Sequence, residues 1–288
     1  MRKFWFVLLM VVLAVCAFGQ TGQLRIIAFG AHPDDCDIRF GGTAIKFARQ
    51  GHQVKFVAVT DGSAGHHEMG GGMLAQRRRA EAQESAKRLG IAAYEVWDNP
   101  DGLLMPTLEV RKQIIRAIRE WKADIVLGPR PNDYHPDHRY TGVLVQDAAY
   151  MVVVPNIVSD TPALRQNPIF MYYEDRFQKP SPFRPDVVVA IDDVWEAKVN
   201  ALDAHVSQFY EWLPWVDGIL PQVPKDPAAR KAWLAKRREG RISEAVRVAL
   251  ERRYGPEKAR AVQHYEAFEL CEYGRQPSRE ELDRLFPK

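Results

Sequence analysis

Short apolar runs of β-type residues alternate with amphipathic helical patterns along most of this chain, from Leu24 onward. The first run, Arg25–Gly30, is β-branched and closed by glycine, which is typical of a buried strand. Strands separated by helices form parallel βαβ units with right-handed crossovers. We therefore predict an α/β, Rossmann-like fold, with a mostly parallel sheet and helices on both faces. The other predicted strands are residues 54–59, 94–97, 124–127, 169–173 and 187–191, and the predicted helices are 43–49, 74–89, 108–121 and 194–209.

The N-terminus carries a different pattern. Arg2 and Lys3 precede an unbroken apolar run at residues 4–15, and small residues follow at Ala17 and Gly19. This pattern is typical of a signal peptide, so we predict cleavage after residue 19 and an exported, periplasmic or secreted protein. An uncleaved N-terminal anchor is the alternative, although the run is short for a membrane span. After cleavage we expect no stable membrane span.

One large catalytic domain is predicted over residues 20–212, because a chain of 288 residues can bury a single full core. Prolines then interrupt the pattern and charged helical sequence follows. We predict that residues 213–288 form a C-terminal helical extension packed on the core. A net charge of +3, spread along the chain, argues against a nucleic-acid partner. The oligomeric state stays open, with a homo-oligomer as one alternative.

A first polar motif, Ala31-His32-Pro33-Asp34-Asp35, stands directly after the first predicted strand. It places one imidazole and two carboxylates in a turn that the proline restricts. Zinc binds histidine nitrogen and carboxylate oxygen, and catalytic zinc sites leave one position open for water. Taken alone, the motif is equally compatible with an Asx-type turn.

A second motif, Asp133-Tyr134-His135-Pro136-Asp137-His138, follows the predicted strand at residues 124–127. It offers two more imidazoles, again next to a proline. In open α/β sheets, ligands bind beyond the carboxyl ends of the strands, where the winding changes direction. Both motifs occupy such positions. We therefore predict that they form one metal site with additional acid–base groups.

The two motifs together resemble those of the LmbE-like, PIG-L type zinc deacetylases. The resemblance extends from about residue 24 to residue 208, and as an ordered series it is specific to that family. The further matching features are Gly51-His52-Gln53-Val54, Thr60-Asp61-Gly62, Arg78-x-x-Glu81, Asp101-Gly102 and Lys198 leading to His205-x-x-Gln208.

The resemblance implies a Rossmann-like fold and hydrolysis of an N-acyl amide, commonly the N-acetyl group of an N-acetylglucosamine derivative. It implies one zinc ion per chain, held by His32, Asp35 and His138. Asp34 would be the general base that takes the proton of the attacking water. The expected partner is therefore a small amino-sugar or glycoconjugate substrate.

The resemblance also implies roles for residues that bind no metal. His135 would stabilise the developing oxyanion as an imidazolium or protonate the leaving amine, and Asp137 would orient His135 and favour its charged form. Arg78 and Asp101 match positions that contact the sugar.

Other functions stay open at this point. An amidase that cleaves larger thiol-sugar or glycopeptide conjugates is the closest alternative. A non-catalytic zinc- or sugar-binding protein would need the metal ligands but not Asp34 and His135 together. Nucleotide binding is disfavoured, because the first strand is followed by Gly30-Ala31-His32-Pro33, which lacks the glycine spacing for a pyrophosphate.

Many relatives carry Glu directly after the second Asp of the first motif, where this chain has Cys36. A thiolate can bind zinc, but adjacent residues rarely reach one ion, so we expect Cys36 outside the coordination sphere. Cys36 and Cys271 are predicted to be unpaired thiols, since two cysteines form no disulfide framework.

Two further clusters have alternative readings. His66 and His67 lie among glycines in the loop after the second strand, either as part of a substrate loop or weak metal site, or as a solvated connection. The aromatic cluster that ends with Trp212 and Trp215 either lines a sugar pocket or packs in the core.

Overall fold

A seven-stranded sheet forms the centre of the computed structural model, which describes residues 22–288. The signal peptide predicted at residues 1–19 lies outside the described residues. The strands are β1 (Arg25–Gly30), β2 (Gln53–Thr60), β3 (Ala93–Asn99), β4 (Ile125–Gly128), β5 (Ile169–Tyr173), β6 (Val187–Ala190) and β7 (Tyr265–Gly274). They lie in the order β3-β2-β1-β4-β5-β7-β6, and β1 to β5 are parallel. The predicted α/β fold class is confirmed.

Helices flank this sheet on both faces. They are α1 (Asp35–Arg49), α2 (Gly71–Leu89), α3 (Leu108–Trp121), α4 (Pro136–Met151), α5 (Trp195–Leu202), α6 (Leu213–Val216), α7 (Pro227–Arg238), α8 (Glu244–Tyr254), α9 (Pro256–Ala261) and α10 (Arg279–Leu285). A π-helical segment, Ser207–Trp212, runs directly into α6. None of the helices within residues 22–288 combines the length and the apolar character that crossing a membrane requires.

The central strands β1, β2 and β4 are buried on both faces, as expected for a parallel sheet covered by helices. Ile26 and Ala28 of β1 belong to one hydrophobic cluster, whereas Ile27 and Phe29 belong to another. Successive side chains of a strand point to opposite faces. The near-continuous apolar character of β1 therefore reflects two separate cores.

The order of the strands brings the two polar motifs together. β1 pairs with β2 on one side and with β4 on the other, all parallel. The chain therefore winds in opposite directions from β1, and the loops that follow β1 and β4 leave the sheet side by side. This is the position where open α/β sheets bind their ligands.

The C-terminal segment is not helical throughout, because it contains the strand β7. This strand lies in the segment predicted as a helical extension, yet it pairs antiparallel with both β5 and β6. Three glutamates among its ten residues obscure the strand pattern in the sequence. One of them, Glu266, accepts hydrogen bonds from the backbone N–H groups of Gly42 and Thr43 at 2.8 and 2.7 Å, and from Lys198 at 2.6 Å. Residues 213–288 therefore complete the sheet and anchor α1.

Two predicted helices have different bounds in the structure. α1 begins at Asp35, eight residues before the predicted start, because the end of the first polar motif forms its first turn. The helix predicted over 194–209 ends at Leu202, and the π-helical segment follows after a break. By contrast, Gly90 ends α2 as predicted, with a φ of 72° and its N–H donated to Ala86.

We expect Gly142→Ala to destabilise the protein by about 1–3 kcal/mol, because the helix has no room for a methyl group there. A Cβ at this position of α4 would lie 2.8 Å from the carbonyl oxygen of Pro129 and 2.9 Å from the backbone of Arg130. Gly72→Ala is the matched control, since a Cβ there meets no atom within 4 Å. In chemical denaturation, the free energy of unfolding of the control should equal that of the wild type or be slightly higher. Equal stability of both variants would contradict the close approach.

Candidate metal centre

The first motif forms a tight turn between β1 and α1. The backbone N–H groups of Asp34 and Asp35 donate to the carbonyl of His32 at 2.9 and 3.3 Å. Oδ2 of Asp35 in turn accepts a hydrogen bond of 2.9 Å from the His32 N–H. These bonds fix the two predicted metal ligands of this motif relative to each other.

The second motif forms the start of α4. Pro136 is the first residue of the helix, where its missing N–H costs no hydrogen bond. His135 precedes it as the N-cap, and Nδ1 of His135 accepts a hydrogen bond from the N–H of Asp137 at 3.2 Å. His138 lies in the first turn, so the helix directs it towards the loop after β1.

Three ligand atoms from the two motifs surround one point. Nδ1 of His32 lies 3.2 Å from Nε2 of His138 and 3.6 Å from Oδ2 of Asp35. Nε2 of His138 and Oδ2 of Asp35 are 3.5 Å apart. Tetrahedral zinc ligands, about 2.0–2.2 Å from the ion, lie about 3.4 Å from one another. The atoms of His32, Asp35 and His138 therefore have the spacing that a tetrahedral metal ion needs.

Carboxylates hold the other nitrogen of each histidine. Nε2 of His32 lies 3.0 Å from Oδ1 of Asp101 and 3.4 Å from Oδ2 of Asp137, and Nδ1 of His138 lies 3.1 Å from Oδ1 of Asp133. Such carboxylate–histidine pairs fix the tautomer and the orientation of a metal-binding imidazole. Both histidines thus present an acceptor nitrogen to the common point.

The negative charge around His32 favours a cation. Burial lowers the pKa of His32, but its contacts with Asp101, Asp137 and Asp35 outweigh burial and hold that pKa well above its ordinary value. Burial raises the pKa of Asp35, whereas His138 and His32 together bring it far below its usual range. These charges would favour a metal ion between the ligand atoms as they favour a proton on His32.

Asp34 is the carboxylate of the site with the fewest partners. It is 2% exposed, and its Oδ1 accepts no hydrogen bond from any residue that the structure describes. Burial and the charge of Asp35 raise the pKa of Asp34. Buried polar atoms of this kind are rare and call for an explanation. An oxygen left free beside the metal ligands is available for a water molecule or for a proton.

The surroundings of His135 lower its pKa, in the direction opposite to the expectation. Burial and the neighbouring His32 and His138 lower the pKa of His135, whereas we expected Asp137 to favour its charged form. Because Nδ1 accepts a hydrogen bond from the Asp137 N–H, the neutral ring carries its proton on Nε2. The predicted roles of His135, stabilising the oxyanion or protonating the leaving amine, stay predictions.

Asp137 also contacts other groups than expected. Its carboxylate accepts hydrogen bonds from the N–H groups of Gly102 at 2.7 Å and Leu104 at 3.2 Å, and it approaches His32. Only its backbone N–H contacts the ring of His135. The carboxylate of Asp137, which we predicted to orient His135, therefore lies beside His32 instead.

The two predicted sugar contacts are buried. Oδ2 of Asp101 accepts hydrogen bonds from the N–H groups of Ala64 and Gly65, at 3.0 and 3.1 Å. Arg78 donates to the carbonyl of Gly65 and to the side chain of Gln208. Both side chains hold the loop after β2 against the site, and Nε of Arg78 has no hydrogen-bond partner among the described residues.

Two features of the site were not found in the sequence. Asp133 was part of the second motif, but nothing in the spacing paired it with His138, five residues later. His66 was expected either in a substrate loop or in a solvated connection, yet its side chain is 4% exposed and lies 2.8 Å from Oε2 of Glu211. Glu211 follows its contact partner by 145 positions, so only the fold brings the two together.

The histidines allow other ligand combinations around the same point. Ring nitrogens of His32, His135 and His138 lie within 4.8 Å of one another. The ligand atoms of His32, Asp35 and His138 lie within 3.6 Å of one another, close to the spacing of tetrahedral zinc ligands.

Cys36 lies away from this point. Its Sγ is 3.4 Å from the carbonyl oxygen of Ala28 and 3.7 Å from the hydroxyl of Tyr173, and burial raises the pKa of the thiol well above its ordinary value. Within residues 22–288, Cys36 and Cys271 are both free thiols, as predicted.

Replacing Asp133 by Asn should lower the affinity for zinc about 10–100-fold, because His138 loses the carboxylate that orients it. Asp160→Asn is a suitable control, since Asp160 pairs with Arg116 at 2.6 Å and its side chain is 64% exposed. Competition with a chromophoric chelator measures both affinities. An unchanged affinity in the Asp133 variant would show that this contact does not support a ligand.

The sequence and the fold are similar to those of known proteins. Residues 27–149 match the profile of the family described as PIG-L: GlcNAc-PI de-N-acetylase. The chain is 36% identical to the diacetylchitobiose deacetylase of Thermococcus kodakarensis over 203 residues, which are 66% of this chain and 73% of that protein. It is also 24% identical over 201 residues to the 4-oxalmesaconate hydratase of Pseudomonas putida, covering 67% of this chain and 77% of that protein. Among solved structures, the N,N'-diacetylchitobiose deacetylase of Pyrococcus horikoshii superposes with a TM-score of 0.64 at 26% identity, covering 94% of each chain.

Proposed function

The chain belongs to the PIG-L family of de-N-acetylases, and on that basis we propose that it is a zinc-dependent hydrolase that removes the N-acetyl group of an amino sugar such as an N-acetylglucosaminyl compound. The observation that carries the proposal is the spacing of 3.2–3.6 Å among the ligand atoms of His32, Asp35 and His138. The unpaired carboxylate oxygen of Asp34 beside these ligands supports hydrolysis over simple metal storage.

His32, Asp35 and His138 would hold the zinc ion, since their free donor atoms converge. Zinc in such a site polarises an acyl oxygen and lowers the pKa of a water molecule from 15.7 towards about 7. Asp101, Asp137 and Asp133 keep the two imidazoles in the required tautomer.

Asp34 acts as the general base. Its free Oδ1 takes a proton from the water that attacks the amide carbon. When the C–N bond breaks, the same carboxyl group delivers that proton to the leaving nitrogen, so that acetate and a free amine result. A carboxyl group whose pKa is raised by burial and by Asp35 suits this relay, because a higher pKa makes the carboxylate a stronger proton acceptor.

His135 stabilises the charge that develops on the amide oxygen. In its neutral form the ring donates the Nε2 proton, and it lies close to the two predicted zinc-binding imidazoles, with ring centroids 4.7 Å from His32 and 5.1 Å from His138. A fixed donor at this place needs no reorganisation during the reaction. The helix N-cap keeps the ring in position through the N–H of Asp137.

Acetate release from a panel of substrates tests the proposal. The panel contains N-acetylglucosamine, N,N'-diacetylchitobiose and a thiol-sugar conjugate with a larger acyl group. We expect acetate and a free amine from the acetylated sugars. Cleavage of the conjugate alone would favour the amidase alternative, and no turnover by zinc-loaded protein would favour a non-catalytic binding protein.

We also propose that the protein acts outside the cytoplasm, on the evidence of the signal-peptide pattern in residues 1–19. A reporter enzyme that is active only after export, fused behind residue 25, should become active with the intact N-terminus. It should stay inactive when residues 4–15 are deleted.

A further inference from the structure

Arg238 is a cation that the C-terminal part of the chain brings to the candidate metal centre. In the sequence it belongs to the basic run Lys236-Arg237-Arg238, which is typical of a solvated helix face. In the structure it is the last residue of α7 and is partly buried. Its Nε is fully buried and has no hydrogen-bond partner among the described residues. Such an orphaned buried donor calls for an explanation.

The packing of α7 connects Arg238 to the first turn of α1. Leu234 lies one helical turn before Arg238 on the same face of α7. It is buried in a hydrophobic cluster with Phe209, against which Ile38 of α1 packs. The guanidinium carbon of Arg238 lies 4.6 Å from the centre of the Phe209 ring, a cation–π contact. The N–H of Ile38 donates to the carbonyl of Asp34 at 3.0 Å, so these contacts extend to the turn that carries the proposed general base.

Asp34 is the carboxylate that acts most strongly on Arg238. Burial lowers the pKa of Arg238 to about 10, Asp34 opposes this shift, and the neighbouring cations Arg237 and Arg39 add to it. Arg238 therefore keeps its charge at neutral pH. Asp217 also acts on Arg238, but that carboxylate is already paired with Arg237. A partly buried cation without a carboxylate of its own is stabilised by an anionic ligand.

Arg39 provides a second guanidinium beside the metal ligands. It follows Asp35 by one helical turn on α1, and it lines a cavity together with Asp35 and His138, two of the three predicted ligands. One of its N–H groups donates to the carbonyl of Glu174 at 3.0 Å, which holds the side chain at the cavity. Arg39 is exposed, so its remaining N–H groups are accessible from solvent.

Two cations at the open side of the site favour an anionic ligand. The charge of Arg39 acts against the charge of Arg238, and an anion bound to both groups relieves this repulsion. The planar fork of a guanidinium matches a carboxylate or a phosphate through two parallel hydrogen bonds. A neutral N-acetyl sugar has no group of this kind.

We propose that Arg39 and Arg238 bind an anionic group carried by the sugar that loses its acetyl group. This inference rests on the proposed deacetylase function and narrows its substrate to N-acetyl amino sugars with a carboxylate or a phosphate. Because Arg238 acts on Asp34 and Arg39 lies beside Asp35, the anionic group belongs on a ring carbon next to the one that carries the acetamido group. Arg238 lies beyond residues 27–149, which match the family profile, so the C-terminal segment supplies this specificity.

Steady-state kinetics of Arg238→Met on neutral and acidic sugars tests the inference. The acidic sugars are N-acetylmuramic acid, with a carboxylate on its C3 substituent, and N-acetylglucosamine 1-phosphate; the neutral one is N-acetylglucosamine. In the wild type we expect kcat/KM to be at least about tenfold higher for one of the acidic sugars, which also separates carboxylate from phosphate. In Arg238→Met this ratio of acidic to neutral sugar should fall about tenfold, mainly through KM, because a hydrogen bond to a charged group is lost. Methionine keeps an apolar stem for the contact with Phe209.

Arg237→Met is the matched control, because Arg237 is the neighbouring residue and pairs with Asp217 at the surface. The ratio of acidic to neutral sugar should equal that of the wild type in this variant. Arg238→Lys should keep part of the preference, since it retains the charge but not the fork.

The failure of this inference can be told apart from the failure of the deacetylase function. A wild-type protein that prefers N-acetylglucosamine or N,N'-diacetylchitobiose to both acidic sugars would overturn the anion site while the deacetylase function stands. An equal loss on acidic and neutral sugars in Arg238→Met would do the same. No acetate release from any of these sugars by zinc-loaded wild-type protein would overturn both proposals.

Discussion

Replacing Asp34 by Asn lowers kcat for acetate release about 10²–10⁴-fold while the protein still binds one zinc ion. The amide side chain keeps the size of the carboxyl group but cannot take a proton from water. Zinc binding is retained because the three converging donor atoms belong to other residues. Acetate release and elemental analysis of the same preparation measure both quantities.

The Asp34→Asn variant should also be at least as stable as the wild type. Burial and the charge of Asp35 raise the pKa of Asp34, so its ionised form is unfavourable in the folded protein. Above that pKa, replacing the charged Asp34 by a neutral amide removes its repulsion with Asp35 and the cost of burying its charge. A functional site commonly keeps such an unfavourable group at the expense of stability. A thermal melt of the metal-free proteins near neutral pH should therefore show an equal or higher Tm for the variant.

Asp98→Asn is the control for this substitution. Asp98 is an exposed carboxylate, with 93% of its side chain accessible, and it pairs with Arg79. Its replacement should leave kcat within about twofold. If Asp34→Asn kept full activity, the unpaired oxygen of Asp34 would have no part in the proton transfer.

His138→Ala should remove both zinc and activity. Two donor atoms remain from the first motif, and two ligands do not hold zinc at the concentrations at which three or four do. In the wild type, zinc at 1,000 times its Kd stabilises the folded state by about 4.1 kcal/mol. Chelation should therefore lower the Tm of the wild type but leave that of His138→Ala unchanged.

His264→Ala is a control with the same substitution elsewhere. His264 stacks on Trp195 and lies 2.9 Å from Asp192, on the far side of the sheet order from β1. This variant should bind one zinc ion and respond to chelation like the wild type. A His138→Ala protein that still bound one equivalent of zinc with wild-type affinity would contradict the ligand set.

Local pattern and chain order predicted most of the fold and the centre of the site. β1 and α3 have the bounds that their apolar spacing indicated, and Gly90 ends α2 through its left-handed conformation. The convergence of the two motifs followed from parallel strands alone, since their carboxyl ends share one edge. Such inferences depend on neighbours in sequence or on the general rule for open α/β sheets.

What the sequence did not reveal depends on contacts between distant segments. The sequence of β7 is rich in glutamate and does not indicate a strand. In the structure β7 pairs with β5 and β6, and Glu266 forms an ion pair with Lys198. Asp101 and Asp137 accept hydrogen bonds from backbone N–H groups of loops. Every residue except proline has such a group, so the sequence does not indicate these contacts. The pKa of His135 is lowered by burial and by two imidazoles that come from distant segments or from the next turn of its helix.

The most direct measurement is acetate release from N,N'-diacetylchitobiose by one protein sample in three states: as purified, after exhaustive chelation, and after return of one equivalent of zinc. The account predicts that chelation abolishes acetate release and that a single zinc ion per chain restores it. Undiminished acetate release by protein shown to contain no metal would contradict the role assigned to His32, Asp35 and His138.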